Sequence, residues 1–207
     1  ATPDLFAVPV EVPTDPVRAR AFLDEVANRY GPDVPRRLTY LYYSESPLAG
    51  ALALAYLRLR ERWGEETEQH LTHPVLRTLM PLCREVGGEI HRFKGRLRFT
   101  EIDPPARHAL MEPDYNILMP VAFYFRRRLG GQPWLITDAK RRRAAHWDGA
   151  RLHFLPVDLT ASRSTSPDEM ARLWQTFYRA VAIPDRKNEN LRRQHMPERY
   201  WKYLTEL

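Results

Sequence analysis

Between Ile90 and Phe99 the chain reads Ile-His-Arg-Phe-Lys-Gly-Arg-Leu-Arg-Phe, with a cation at every second position from Arg92 on. Side chains alternate faces along an extended strand. This spacing predicts a strand over 89–100 with Arg92, Lys94, Arg96 and Arg98 on one face. Phe93, Leu97 and Phe99 share the other, and His91 sits at its edge. A row of like charges repels itself unless an anion lies against it. A solvated outer sheet face is the ordinary use of such a row. Its chemical use is a track for a polyanion, most naturally nucleic acid.

Further cations fit the same chemistry. Lys140-Arg141-Arg142-Arg143 is an unbroken four-cation block, and Arg126-Arg127-Arg128 closes a predicted helix, where the dipole favours cations in any case. The C-terminal stretch sets Arg186, Lys187, Asn188 and Arg192 beside Tyr200 and Trp201, a mixture suited to gripping phosphates and stacking bases or to anchoring the chain end. Phosphate contacts of this kind give affinity and salt dependence but read no sequence.

Reactive groups are fewer. Pro113-Asp114-Tyr115-Asn116 reads as a turn ahead of a helix, where Asp114 or Asn116 serves as a cap. Beside a basic surface the same pair could position a hydrolytic water. Asp138 and Lys140 fall on one face of a predicted strand over 134–140. They form an ion pair if that face is buried. If it lines a cleft, Lys140 is a candidate nucleophile with Asp138 orienting it and His91 as a further acid–base group. Asp114, Asn116, Asp138, Lys140 and His91 are therefore the catalytic candidates. The seven histidines show no metal-binding spacing, no glycine-rich phosphate loop is present, and no cofactor is expected.

Composition sets the frame for these groups. The chain has 207 residues, 43% of them hydrophobic, which suffices for a real core. The net charge of +6 is concentrated centrally: residues 84–143 hold 13 Lys/Arg against 7 Asp/Glu, whereas residues 1–83 hold 9 against 11. Such a distribution suits a binding surface better than a basic tail. Cys83 is the lone cysteine, which excludes an internal disulfide and fits a reducing, cytoplasmic setting. No run is long and apolar enough for a membrane span, and no membrane partner is expected.

The elements that must position the site follow from periodicity. Thr14-Asp15-Pro16 predicts a helix start capped by Asp15, with the helix ending near Gly31. Helices follow at about 37–43, 47–63 and 73–86, the last stopping at Gly87-Gly88. Strands are predicted at 89–100, 106–112, 134–140 and 151–155, with a helix over 117–129 between the second and third. An Asp148-Gly149 hairpin turn precedes the last strand. Met170, Leu173, Trp174, Phe177, Tyr178 and Val181 predict a C-terminal helix over 167–183. The expected fold class is α+β, a helical layer (residues 1–88) on a small, mainly antiparallel sheet (residues 89–207), in one unit.

Several of these stretches occur together in one family. The 89–99 segment, Pro113-Asp114-Tyr115-Asn116, Trp134–Arg141, Ala182–Asn188 and Met196–Lys202 stand in that order. The set resembles a bacterial family of unknown function labelled "probable DNA metabolism protein", over roughly residues 85–207. Members are linked to radical-SAM proteins, and some are fused to uracil-DNA glycosylase-like domains. The resemblance implies a DNA repair or modification pathway, with such proteins as partners. It also implies that members carry a strand and helix ahead of the point where this chain begins. The expected function is DNA binding. The alternatives are a base-excising glycosylase or nuclease acting on damaged or uracil-containing DNA, and a docking scaffold for a radical-SAM or glycosylase partner.

Overall fold

The structure is a computed structural model that describes residues 15–103 and 106–157. The expected 167–183 helix, and with it Arg186, Lys187, Asn188 and Arg192, lies outside the described residues.

Helix α1 (Pro16–Tyr30) starts as its residues dictate. Asp15 Oδ1 accepts the N–H groups of Val17 and Arg18, each at 3.0 Å, and Pro16 occupies the first turn, where its missing N–H costs nothing. Helices α2 (Asp33–Tyr43) and α3 (Ala49–Trp63) follow, then a 3-10 segment at Gly64–Gln69. Helix α4 (Pro74–Arg96) comes next. These four helices bury one apolar cluster containing Val26, Val34, Leu41, Leu52, Tyr56, Leu76, Leu79 and Cys83. Cys83 is therefore a core residue, and burial pushes its thiol up to about 11.

The length of α4 overturns the first strand expected above. Residues 89–96 are helical, and the sheet begins only at β1 (Thr100–Asp103). The cause is a second periodicity in the same residues. Leu76, Leu79, Cys83, Val86, Ile90, Phe93 and Leu97 recur at alternating steps of three and four, the spacing of one helical face. All seven are buried. At roughly 1.5–3 kcal/mol per large apolar side chain removed from water, that stripe outweighs about 1 kcal/mol per interior glycine. Gly87 and Gly88 therefore lie inside α4. Gly87 also brings the helix close to α2, since a Cβ there would stand 3.0 Å from Tyr40 Cε2.

Strands β2 (Ala106–Met111), β3 (Trp134–Asp138), β4 (Arg143–Trp147) and β5 (Leu152–Pro156) complete a five-stranded sheet in the order β1-β2-β3-β4-β5. Three neighbouring pairs are antiparallel. β2 and β3 are parallel, joined by the crossover helix α5 (Leu118–Leu129), so the sheet is mixed. The fold is α+β, helices on a mixed sheet. Ala109, Met111, Trp134, Ile136, Ala145 and Trp147 turn one sheet face toward α4 and α5, forming a second cluster with Val86, Ile90, Phe93, Val121 and Phe125. Helix α4 runs through residue 88 and contributes to both clusters, and Tyr40 packs against each. The Asp148-Gly149 turn is as expected: Asp148 Oδ1 accepts the N–H groups of Ala150 and Arg151, and Gly149 has φ +99°.

Candidate nucleic-acid interface

The helical path of residues 89–96 redistributes the cations. At about 100° per residue, Arg92 and Arg96 lie one turn apart on one flank of the buried stripe, and Lys94 falls on the other. Arg98 follows the end of α4, where its Nη1 donates to the Gly95 carbonyl at 3.4 Å. Arg92, Arg96 and Arg98 gather closely enough to act on one another. Burial first, then the charges of Arg92 and Arg98, hold the Arg96 guanidinium below its ordinary value. Arg92 Nε is shut off from solvent with no hydrogen-bond partner. Lys94 instead crosses to α5, its ammonium 5.5 Å from the centre of the Tyr124 ring. His91 is exposed on α4, about 200° round the helix from Glu89.

Glu89 organises a second group. It is 0% exposed, and its carboxylate accepts the N–H groups of Asp114 and Tyr115, both at 2.9 Å. The Tyr115 hydroxyl donates to Glu85 at 2.5 Å, and the Asn116 N–H donates to the Tyr43 carbonyl at 2.9 Å. From the β3–β4 turn, Lys140 Nζ and Arg141 Nη2 donate to the Asp114 carbonyl at 3.0 and 2.8 Å. Arg141 Nη1 reaches the Pro113 carbonyl at 3.2 Å. The 113–116 loop is thus fixed by its own backbone polar groups, which a buried carboxylate and two cations satisfy.

Three expectations about this loop and turn change. Neither Asp114 nor Asn116 caps α5: the residue before the helix is Ile117, with no side-chain capping bond. The Asn116 side chain instead helps to hold the Glu45 carboxyl below its usual range. Strand β3 ends at Asp138, so Asp138 and Lys140 do not share a strand face. The partner of Asp138 is Arg141, through Nη1 at 3.2 Å and the backbone N–H at 3.1 Å. Burial pushes the Asp138 carboxyl up, and its bonds to Arg141 work against that.

Glu45 has no counterpart among the sequence candidates. It lies just beyond α2, 96 positions from Arg141, and its Oε2 accepts Arg141 Nε and Nη2 at 2.9 and 2.6 Å. Those bonds, the Arg141 charge, Asn116 and Lys140 hold its carboxyl below the usual range against partial burial. Glu45 and Arg142 are the described non-glycine residues with positive φ, +53° and +50°, and they flank this cluster from two sides. Backbone strain of this kind costs about 1–3 kcal/mol and persists where surrounding contacts enforce it. No local pattern around Ser44-Glu45-Ser46 signals the role, because the partners arrive from the far half of the chain.

Asp114, Asn116, Asp138, Lys140 and Arg141 are therefore brought together, while His91 and the Arg92–Arg96–Arg98 group lie on α4 and its extension. Arg142 is exposed. Among the described residues, no group of three or more His, Cys, Asp or Glu is placed to hold a metal ion. Nor, among them, is any helix long and apolar enough to cross a membrane.

These features define an α+β protein with a buttressed polar loop and a separate arginine cluster. Residues 48–206 match the family described as "Domain of unknown function (DUF4130)", and the chain belongs to that family. No curated protein and no solved structure matches it significantly.

Proposed function

We propose that this chain binds DNA as part of a bacterial DNA repair or modification pathway, alongside a radical-SAM protein or a uracil-DNA glycosylase-like partner. The observation that carries the DNA reading is the placing of Arg92 and Arg96 one turn apart on one flank of α4, with Arg98 just beyond the end of that helix. A phosphate backbone is an anion of the kind that such a group of cations complements. Exposed Lys140 and Arg142 add positive charge at the β3–β4 turn, apart from that cluster. The central charge excess and the resemblance to a DNA metabolism family support the pathway and its partners. The base-excising alternative finds less support, because Asp138 is bonded to Arg141 and so does not serve to orient Lys140.

Fluorescence anisotropy against labelled DNA tests the reading. The Arg92→Glu, Arg96→Glu double variant is expected to bind at least tenfold more weakly than wild type. Wild-type affinity is expected to fall steeply with salt, with a log–log slope of roughly −0.9 per duplex phosphate neutralised. Affinity indifferent to both the variant and moderate salt would refute it.

A further inference from the structure

Helix α5 presents a surface that the arginine cluster does not explain. Its sequence, Leu118–Leu129, contains no acidic residue, and its last turn carries Arg126, Arg127 and Arg128, all exposed. Phe123, one turn earlier, is left 42% exposed, as is Met119. Three cations here, Arg126, Arg128 and Lys94, are set on aromatic rings. Arg126 Cζ lies 5.2 Å from the centre of the Phe123 ring and 5.9 Å from that of Trp147. Arg128 Nη1 donates to the Tyr124 hydroxyl at 2.7 Å, and Lys94 reaches the same ring from α4. Among the described residues, no ion pair joins Arg126, Arg127, Arg128 or Lys94 to a carboxylate.

We infer that this ridge, formed by Phe123, Tyr124, Arg126, Arg127 and Arg128 with Lys94, is a stacking platform for single-stranded DNA. The inference rests on the DNA-binding reading and narrows its substrate. An exposed phenyl ring gains nothing from a phosphate, and in duplex DNA the base faces are hidden within the stack. An unpaired base offers a flat π-face to Phe123 and to the Arg126 guanidinium, while the adjoining cations meet the phosphates on either side. A dense positive charge with no acid on the helix complements a polyanion, and the half-exposed aromatic selects one whose bases are free. An acidic peptide supplies the charge but no planar π-faces.

The test compares three fluorescent ligands by anisotropy at one salt concentration: oligo-dT of about twelve nucleotides, an abasic oligomer with the same number of phosphates, and a duplex of equal length. Wild type is expected to bind oligo-dT about tenfold more tightly than the abasic oligomer. Phe123→Ala is expected to remove that preference and leave abasic and duplex binding within about twofold, whereas Phe123→Tyr keeps it. Arg126→Ala is expected to weaken oligo-dT binding several-fold, and melting curves of the exposed-site variants should overlay wild type. Equal binding of oligo-dT and abasic oligomer, equal oligo-dT binding by wild type and Phe123→Ala, or displacement of oligo-dT by poly-glutamate of matched charge would overturn the inference. In each of those cases, loss of binding in Arg92→Glu, Arg96→Glu leaves the DNA reading standing. Absence of binding to all three ligands at low salt overturns both.

Discussion

Arg141 is one cation of four in Lys140-Arg141-Arg142-Arg143, yet its side chain is 11% exposed and faces inward to Glu45, Asp138 and two loop carbonyls. In sequence the four are alike, so the block reads as a single phosphate grip. Burial separates them, and burial depends on partners far along the chain. Removing one side of a buried pair leaves the other charge uncompensated. Arg141→Ala is accordingly expected to lower stability by about 3–5 kcal/mol, measured by urea unfolding, because Asp138 is 1% exposed. A loss under 1 kcal/mol would show that the contacts are incidental. Glu68 gives the pH counterpart. Arg37 binds its carboxylate at 3.1 and 2.7 Å, and the buried Tyr56 hydroxyl donates at 2.8 Å. The Arg37 bond, followed by that of Tyr56, holds the Glu68 carboxyl below its ordinary 4.5 despite partial burial. A depressed folded pKa means that the unfolded chain takes up the proton first. The stabilisation is therefore complete above about pH 4.5 and is lost as pH falls through the lower folded value. Glu68→Gln should flatten that part of the acid-stability curve, and an unchanged curve would remove Glu68 from the explanation.

At the scale of elements, most of the helices and strands were legible. Asp15-Pro16 set the start of α1, Asp148-Gly149 set the last hairpin, and α5 and β2 fall within a residue or so of expectation. The failure at residues 89–96 is instructive because both periods are present there. Alternating cations imitate a strand, while the three-four repeat of Leu76 through Leu97 continues a helix. The glycine pair tipped the reading the wrong way. What it lacked was Tyr40, whose ring makes Gly87 useful at a close helix crossing. The two glycines should therefore respond differently to alanine. At Gly88 a Cβ meets only the flexible end of Arg92, at 3.4 Å. Gly88→Ala should raise stability by about 0.5–1 kcal/mol through helix propensity. Gly87→Ala should gain less or lose, since Tyr40 must give way. Thermal melts showing the opposite order would place the close contact elsewhere.

For the molecule as a whole, the α+β class followed from the switch of pattern partway along the chain, and the charge excess pointed to its middle third. The parallel β2–β3 pair was less legible. An isolated strand carries no mark of its neighbour's direction, and the expected helix between the second and third strands did not by itself say that those two strands pair. The candidate site was half legible for a similar reason. Pro113–Asn116, Asp138 and Lys140 stood out by type, whereas Glu45 and Glu89 joined them only through folding. The two cores share α4 and the Tyr40 ring, so the helical layer and the sheet are packed through common residues.

That sharing bears on where the family's boundary is drawn. The matched stretch opens at residue 48, three positions after Glu45. Ahead of it stand Arg37, which grips Glu68, Tyr40 against Gly87, Tyr43, whose carbonyl receives Asn116, and Glu45 on Arg141. A fragment trimmed to the matched residues would keep the recognisable motifs and discard four of the groups that hold them in place. In this chain all four stand upstream of the recognised segment, three in the helix that leads into it and Glu45 just beyond that helix.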